Sequence, residues 1–271
     1  MLTGFSQAFS SIESSLPVSD RSQPVIQFEN VSYRVAPDRT LLENLNLVIH
    51  SGETLMLLGR SGSGKTTCLK LINRLLIPFR GEVRVEGTAT TAWDVVKLRR
   101  HIGYAIQEVG LFPHYAVEQN IALIPKLEGW ERARITARVA EVLQIVGLPR
   151  EFAQRYPNQL SGGQRQRVGL ARALAADPPI LLMDEPFGAL DPITRAEIQR
   201  EFKQLQQRLC KTIVFVTHDV GEALLLGSRI ALMESGSLQG IYTPHDFVNS
   251  KDDPVTPYVD AFRMSQQILQ Q

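Results

Sequence analysis

Gly59, Arg60, Ser61, Gly62, Ser63, Gly64, Lys65 and Thr66 satisfy every defined position of G-x-x-x-x-G-K-S/T. The glycines accept backbone angles that turn successive N–H groups inward around phosphate oxygens. A helix starting near Lys65 would add the positive end of its dipole. In that arrangement Lys65 reaches the outer phosphates of a nucleoside triphosphate, Thr66 ligands Mg2+, and Thr67 joins the phosphate-binding set. Kinases, GTPases and motor ATPases all bind phosphate this way, so the turn alone names no reaction.

Further candidates end other apolar segments. Residues 180–183 are a continuous apolar run followed by Asp184 and Glu185, so a buried strand would deliver two carboxylates to one sheet edge. Asp184 would hold the Mg2+ shell, and Glu185 would orient and deprotonate an attacking water. His218, after the apolar run 213–217, could donate to a terminal phosphate, although a histidine at a strand end is more often a structural donor. Gln107 ends the candidate strand 103–107 and could ligand Mg2+ through its amide oxygen. Ser161, Gly162, Gly163 and Gln164 open a helix carrying Arg165, Arg167 and Arg172. That is a second glycine-rich helix start suited to an anion, and Ser161 alone also reads as an ordinary N-cap.

These groups need a scaffold that gathers strand ends. Candidate strands at 26–28, 45–49, 54–58, 82–86, 103–107, 180–183, 213–217 and 229–233, several of them separated by helical patterns, argue for α/β layering with a mainly parallel sheet. A helix is expected over 65–76. Between 117 and 175 the pattern is helical, with Ile135, Val139, Val142, Leu143 and Val146 forming one apolar stripe. Asp219 and Glu222 have capping-box spacing after the strand ending at Thr217. Residues 1–23, rich in Ser and Gln, read as a mobile leader. The expected organisation is a core of 24–108 and 176–243, a helical subdomain over 109–175, and a helical tail over 244–271.

Composition limits the alternatives. The chain has 271 residues, 44% apolar and 21% charged, with a formal net charge of +1. That excludes a disordered or strongly basic nucleic-acid-binding chain. No apolar run approaches the roughly 18 residues of a spanning helix, and residues 1–20 hold no Lys or Arg, so no secretory signal is readable. A cytoplasmic protein follows. Cys68 and Cys210 form no metal-ligand spacing and read as reduced thiols.

Taken in order, 59–66, Gln107, 160–164, Asp184 with Glu185, 189–191 and His218 resemble the ATP-binding cassette (ABC) transporter ATPases over about residues 25–250. The resemblance implies a P-loop NTPase (RecA-like) core sheet with an antiparallel β region and an inserted helical subdomain. It makes 160–164 the signature motif, 189–191 with Asp191 the D-loop, and Tyr33 the aromatic that stacks on adenine, although from the residues alone an aromatic near a strand end is more often core. It further implies ATP and Mg2+ as cofactors and a homodimer or paired cassette. Each ATP would lie between 59–66 of one chain and 161–164 of the other.

Residues 98–114, 124–130 and 186–195 are similar to the ATPase subunits of bacterial osmoprotectant importers for glycine betaine, choline or proline. That narrower likeness implies permease subunits in the membrane, a substrate-binding protein acting indirectly, and a position on the inner face of the membrane. Residues 109–121 would receive a short helix of the permease. Some of that group carry a pair of CBS domains after the cassette, for which the residues after Gly240 are too few. An importer for amino acids or polyamines is the nearest alternative. A soluble non-transport cassette usually holds two cassettes or a coiled-coil insert. A GTPase would need an NKxD segment and would leave 160–164 without a role.

Overall fold

Strands β1 (Pro24–Ala36) and β2 (Arg39–His50) pair antiparallel, within a computed structural model that describes residues 23–107, 109–188 and 190–268. Repeated register shifts break the alternation along β1, which is why only 26–28 and 45–49 read as strands from the sequence. The expected leader lies, except for Gln23, outside the described residues, as do Glu108, Ala189 and 269–271. The buried strand β3 (Thr54–Leu58) feeds the glycine turn into α1 (Lys65–Ile72). The helix expected over 65–76 stops there, because Arg74 takes a φ of 54° and the Leu75 and Leu76 N–H groups both fold back to the Lys70 carbonyl. Strands β4 (Arg80–Val85) and β5 (Thr88–Ala89) complete a sheet of order β2-β1-β4-β5.

Helix α2 (Val95–His101), capped by Asp94, runs into β6 (Ile102–Ala105). A helical stretch follows: α3 (Val117–Ile121), α4 (Leu123–Leu127), α5 (Arg132–Ile145) and α6 (Gly162–Leu174). The predicted stripe of α5 is buried, with Val146 at the C-cap. The loop ahead of α3 is pinned from inside. Buried Asn120 accepts from the Phe112 N–H at 2.8 Å and donates to the carbonyls of Phe112, Tyr115 and Ala116, while Phe112 itself stays exposed.

The chain then alternates through β7 (Ile180–Asp184), α7 (Pro192–Leu209), β8 (Thr212–Thr217), α8 (Val220–Leu226) and β9 (Arg229–Glu234). Strand β10 (Ser237–Tyr242) turns back antiparallel on β9, and α9 (Pro244–Asn249) and α10 (Thr256–Ile268) follow. The second sheet has the order β10-β9-β3-β8-β7-β6, parallel from β9 to β6. This is the expected α/β architecture of a P-loop NTPase, with its antiparallel β region and inserted helices.

Successive side chains of a strand point to opposite faces, and β3, β7 and β8 use both. Leu55, Leu57, Ile180, Leu182, Val214 and Val216 join the core shared with α1 and the antiparallel sheet. Met56, Leu58, Leu181, Met183, Ile213 and Phe215 join the core shared with the helical stretch. Burial on both faces explains the continuous apolar runs. Cys68 lies fully buried in the first core, where desolvation pushes its thiol up to about 12; Cys210 is exposed, and both thiols are free.

Candidate nucleotide site

The parallel register aligns Leu58 with Thr217, and Asp184 with Val216. The carboxyl ends of β3, β7 and β8 therefore share one edge, where ligands collect in such sheets. An open cleft of about 590 Å³ lies there, lined by loop residues from Arg60 to Thr67 together with Gln107, Glu185 and His218. Leu41 of β2 also lines it, and no local pattern in the sequence marks that residue.

The glycine turn is built for close approach. Gly62 and Gly64 take φ values of 81° and 98°, angles that glycine adopts without steric cost. A Cβ on Gly64 would lie 2.5 Å from the Leu42 side chain, and one on Gly59 would lie 2.1 Å from the Met233 carbonyl oxygen. Gly64 is the N-cap of α1 and offers no side-chain acceptor. The first-turn N–H groups are thus left to whatever anion the loop holds. Lys65 is buried, and its ammonium donates to the carbonyls of Gly59 (2.7 Å) and Arg60 (2.8 Å). Burial lowers its pKa, while the Glu185 and Asp184 carboxylates oppose that shift.

Across the cleft, the Thr66 hydroxyl donates to Asp184 Oδ1 at 2.8 Å, and the Tyr104 hydroxyl approaches Asp184 Oδ2 at 3.4 Å. Burial raises the Asp184 pKa against the pull of both hydroxyls; the same burial, with the carboxylate beside it, raises that of Tyr104. Tyr104 was missed from the sequence, although a phenol on a four-residue strand otherwise given to core was a readable sign. A hydroxyl and a carboxylate in contact beside a phosphate loop fit Mg2+, a hard cation that takes oxygen ligands and keeps several waters. Among the described residues no cluster of three His, Cys, Asp or Glu side chains could hold a metal ion.

Glu185 follows Asp184 with a φ of 43°, a left-handed angle costing about 1–2 kcal/mol for a residue with a Cβ. Its N–H donates to the Val216 carbonyl, and its Oε2 lies 3.2 Å from Nδ1 of His218, whose side chain is 62% exposed. Gln107 requires a correction: β6 ends at Ala105, so Gln107 stands two residues beyond the strand, exposed but still lining the cleft. Asp219 and Glu222 form only half a capping box. Asp219 accepts from the Glu222 N–H, while the Glu222 carboxylate turns away to Thr217.

The other sequence candidates do not line this cleft. Tyr33 is half-buried against the core of the antiparallel sheet and pairs with Leu42, next to Leu41. Ser161 and Gln164 close a capping box at the start of α6: the Gln164 N–H donates to Ser161 Oγ, and the Ser161 N–H donates to Gln164 Oε1 at 2.9 Å. Ser161 and Gly162 are exposed, whereas a Cβ on Gly163 would lie 2.7 Å from Thr194 Cγ2. Asp191 caps α7 by accepting from the Thr194 N–H, which holds its carboxyl below the ordinary value. The start of α6 is therefore packed on the first turn of α7, away from the phosphate loop of the same chain.

The sequence pattern of the family described as ABC transporter matches residues 42–188, more than half of the chain. The chain belongs to the ABC transporter family. It is 46% identical to the choline transport ATP-binding protein OpuBA of Bacillus subtilis over 91% of this chain and 64% of that protein. It is 50% identical to the glycine betaine uptake system ATP-binding protein YehX of Escherichia coli over 79% of this chain and 69% of that protein. This ABC chain thus spans just under two thirds of OpuBA's length. The cassette MJ0796, solved as a dimer in a post-hydrolysis state bound to ADP and Pi, superposes with a TM-score of 0.73 and 36% identity, covering 81% of this chain and 98% of that one. Among the described residues no helix is long and apolar enough to cross a membrane.

Proposed function

We propose that this chain binds and hydrolyses ATP as the energy-coupling subunit of an importer for osmoprotectants such as glycine betaine, choline or proline, acting through separate permease subunits at the inner face of the membrane. One observation carries the reading. The phosphate loop, with Thr66 bonded to Asp184, and the Glu185–His218 pair line a single cleft, while the Ser161 cup of the same chain lies outside it. Each chain then holds two incomplete halves, and a second cassette completes the site. The names of OpuBA and YehX support the class of cargo.

In this reading Lys65 swings from the loop carbonyls to the outer phosphates, and the uncapped start of α1 stabilises their charge. Thr66 and Asp184 would hold Mg2+, with Gln107 reaching in from beyond β6, and the bound ion would supply positive charge against that developing on the phosphate oxygens. Glu185 orients a water for attack on the terminal phosphorus and takes its proton, and His218, in contact with that carboxylate, donates to the terminal phosphate. Tyr33 stacks on the base. Asp191 and the Ser161–Gln164 cup serve the partner cassette, and residues 109–175 pass its closure to the permease.

The test is reconstitution of the chain with the permease and binding protein that co-purify with it, reading phosphate release and uptake of labelled glycine betaine. Hydrolysis coupled to uptake is expected. Hydrolysis without uptake of any quaternary amine would remove the cargo, and no hydrolysis in the assembled complex would remove the enzyme.

A further inference from the structure

Beyond the cleft, a buried polar network not yet given a role centres on Glu222. This carboxylate is only 5% exposed, in a position where an unpaired charge would be costly. Its Oε2 accepts from the Thr217 hydroxyl at 2.5 Å, and its Oε1 accepts from the Gln199 amide at 3.0 Å. Thr217 Oγ1 in turn accepts from the Asp219 N–H at 3.0 Å. His218 is the one residue between Thr217 and Asp219, so its backbone is clamped on both sides by a network anchored on Glu222. The opposite wall is α7. Besides Gln199, that helix carries Arg195, whose charge acts favourably on Glu222 and whose guanidinium donates to the carbonyls of Leu190 (3.0 Å) and Gly188. The linkage therefore runs from the segment after Glu185, through α7, to the strand end that presents His218.

We propose that Glu222 is a positioning residue for His218: it fixes, through Thr217 and Gln199, where the imidazole meets Glu185 and the terminal phosphate. The proposal deepens the ATPase reading and rests on it. A side chain 62% exposed on an open strand end has many rotamers available, and holding its backbone narrows the placement on which transition-state contacts depend. The role is geometric. Gln199 can turn its amide oxygen toward a glutamine at 222, so Glu222→Gln preserves both hydrogen bonds and Glu222→Ala removes them.

The experiment uses the full chain in two measurements. In the first, kcat and KM for ATP are compared for wild type, Glu222→Gln, Glu222→Ala, His218→Ala and the double variant. Glu222→Ala is expected to lower kcat about tenfold with KM changed less than about twofold, and Glu222→Gln to recover most of the rate. The double variant should fall no further than His218→Ala, because residues acting through one another are not additive. Multiplying losses, or an unchanged kcat in Glu222→Ala, would overturn the proposal. In the second, the ring signals of His218 are followed by nitrogen-15 NMR, assigned by His218→Ala among the five histidines. They should move in Glu222→Ala and stay in Glu222→Gln; identical ring signals in all three proteins would refute the positioning role whether or not the chain hydrolyses ATP. Should Glu222→Ala fail to fold, Thr217→Val enters both measurements in its place, with the same outcomes deciding.

Discussion

The Thr66 hydroxyl donates to the Asp184 carboxylate at 2.8 Å across a sequence separation of 118 residues. Two segments that share no local pattern are thereby tied at the point where a metal would sit. Asp184 carries the electrostatic cost of that arrangement. Burial raises its pKa above the ordinary 3.8, with Glu185 adding to the shift. A carboxyl whose folded pKa is raised favours folding while protonated, and that contribution declines as the pH climbs from 3.8 through the higher folded value. Above that value the chain holds a buried charge it would be more stable without.

Asp184→Asn keeps an amide oxygen for Thr66 and removes the charge. Its thermal midpoint at pH 7 without nucleotide should equal or exceed that of wild type, while ATP hydrolysis falls on the order of 10²-fold or more, the usual conflict between stability and activity at a functional site. Scanning fluorimetry and phosphate release check the two halves separately. A midpoint well below wild type would show that the carboxylate stabilises the fold.

Glu185→Gln should slow hydrolysis on the order of 10²-fold or more while ATP binding stays close to wild type, because the amide keeps the shape of the side chain and loses the base. Single-turnover phosphate release and fluorescent-nucleotide binding measure the pair. Unchanged turnover would take Glu185 out of the base role.

The two half-sites predict complementation. In the proposed dimer Ser161→Arg would spoil the cup offered to the partner's nucleotide and Lys65→Ala the phosphate loop, so each variant alone should be nearly inactive. Mixed in equal amounts, half of the dimers would hold one intact site, restoring about a quarter of wild-type turnover. A mixture as dead as its components would argue that each chain works alone.

Gly59→Ala would force a Cβ to within 2.1 Å of the Met233 carbonyl, a backbone atom with little room to retreat. Overpacking of this kind costs about 1–3 kcal/mol, so the variant should melt several degrees lower and bind ATP more weakly. A wild-type midpoint would mean that β9 gives way more easily than its place in the sheet suggests.

Much of the site could be read before any coordinates, for a physical reason. Residues 59–66 and 180–185 are local patterns whose neighbours, a buried strand before each and a helix or acids after, are encoded in the same short stretch. What could not be read depends on tertiary partners. Strand β1 hides behind bulges, and β10 is a half-exposed edge strand interrupted by Gly240. Apolar Ile106 makes Gln107 read as the end of a strand, yet β6 stops at Ala105, two residues earlier. Glu222 has the spacing of a capping residue, but the Thr217 hydroxyl and, from the neighbouring helix α7, the Gln199 amide draw it into the interior.

The reciprocal closure of Ser161 and Gln164 has a consequence for assembly. With both side chains already bonded to each other's backbone, the tip of α6 meets an incoming surface as a finished shape. The entropy of ordering that tip is spent when the chain folds, and little remains to be lost on association. Recognition at this corner should therefore be fast to settle and sensitive to shape, so that even a small added side chain there would be felt as misfit before it was felt as lost chemistry.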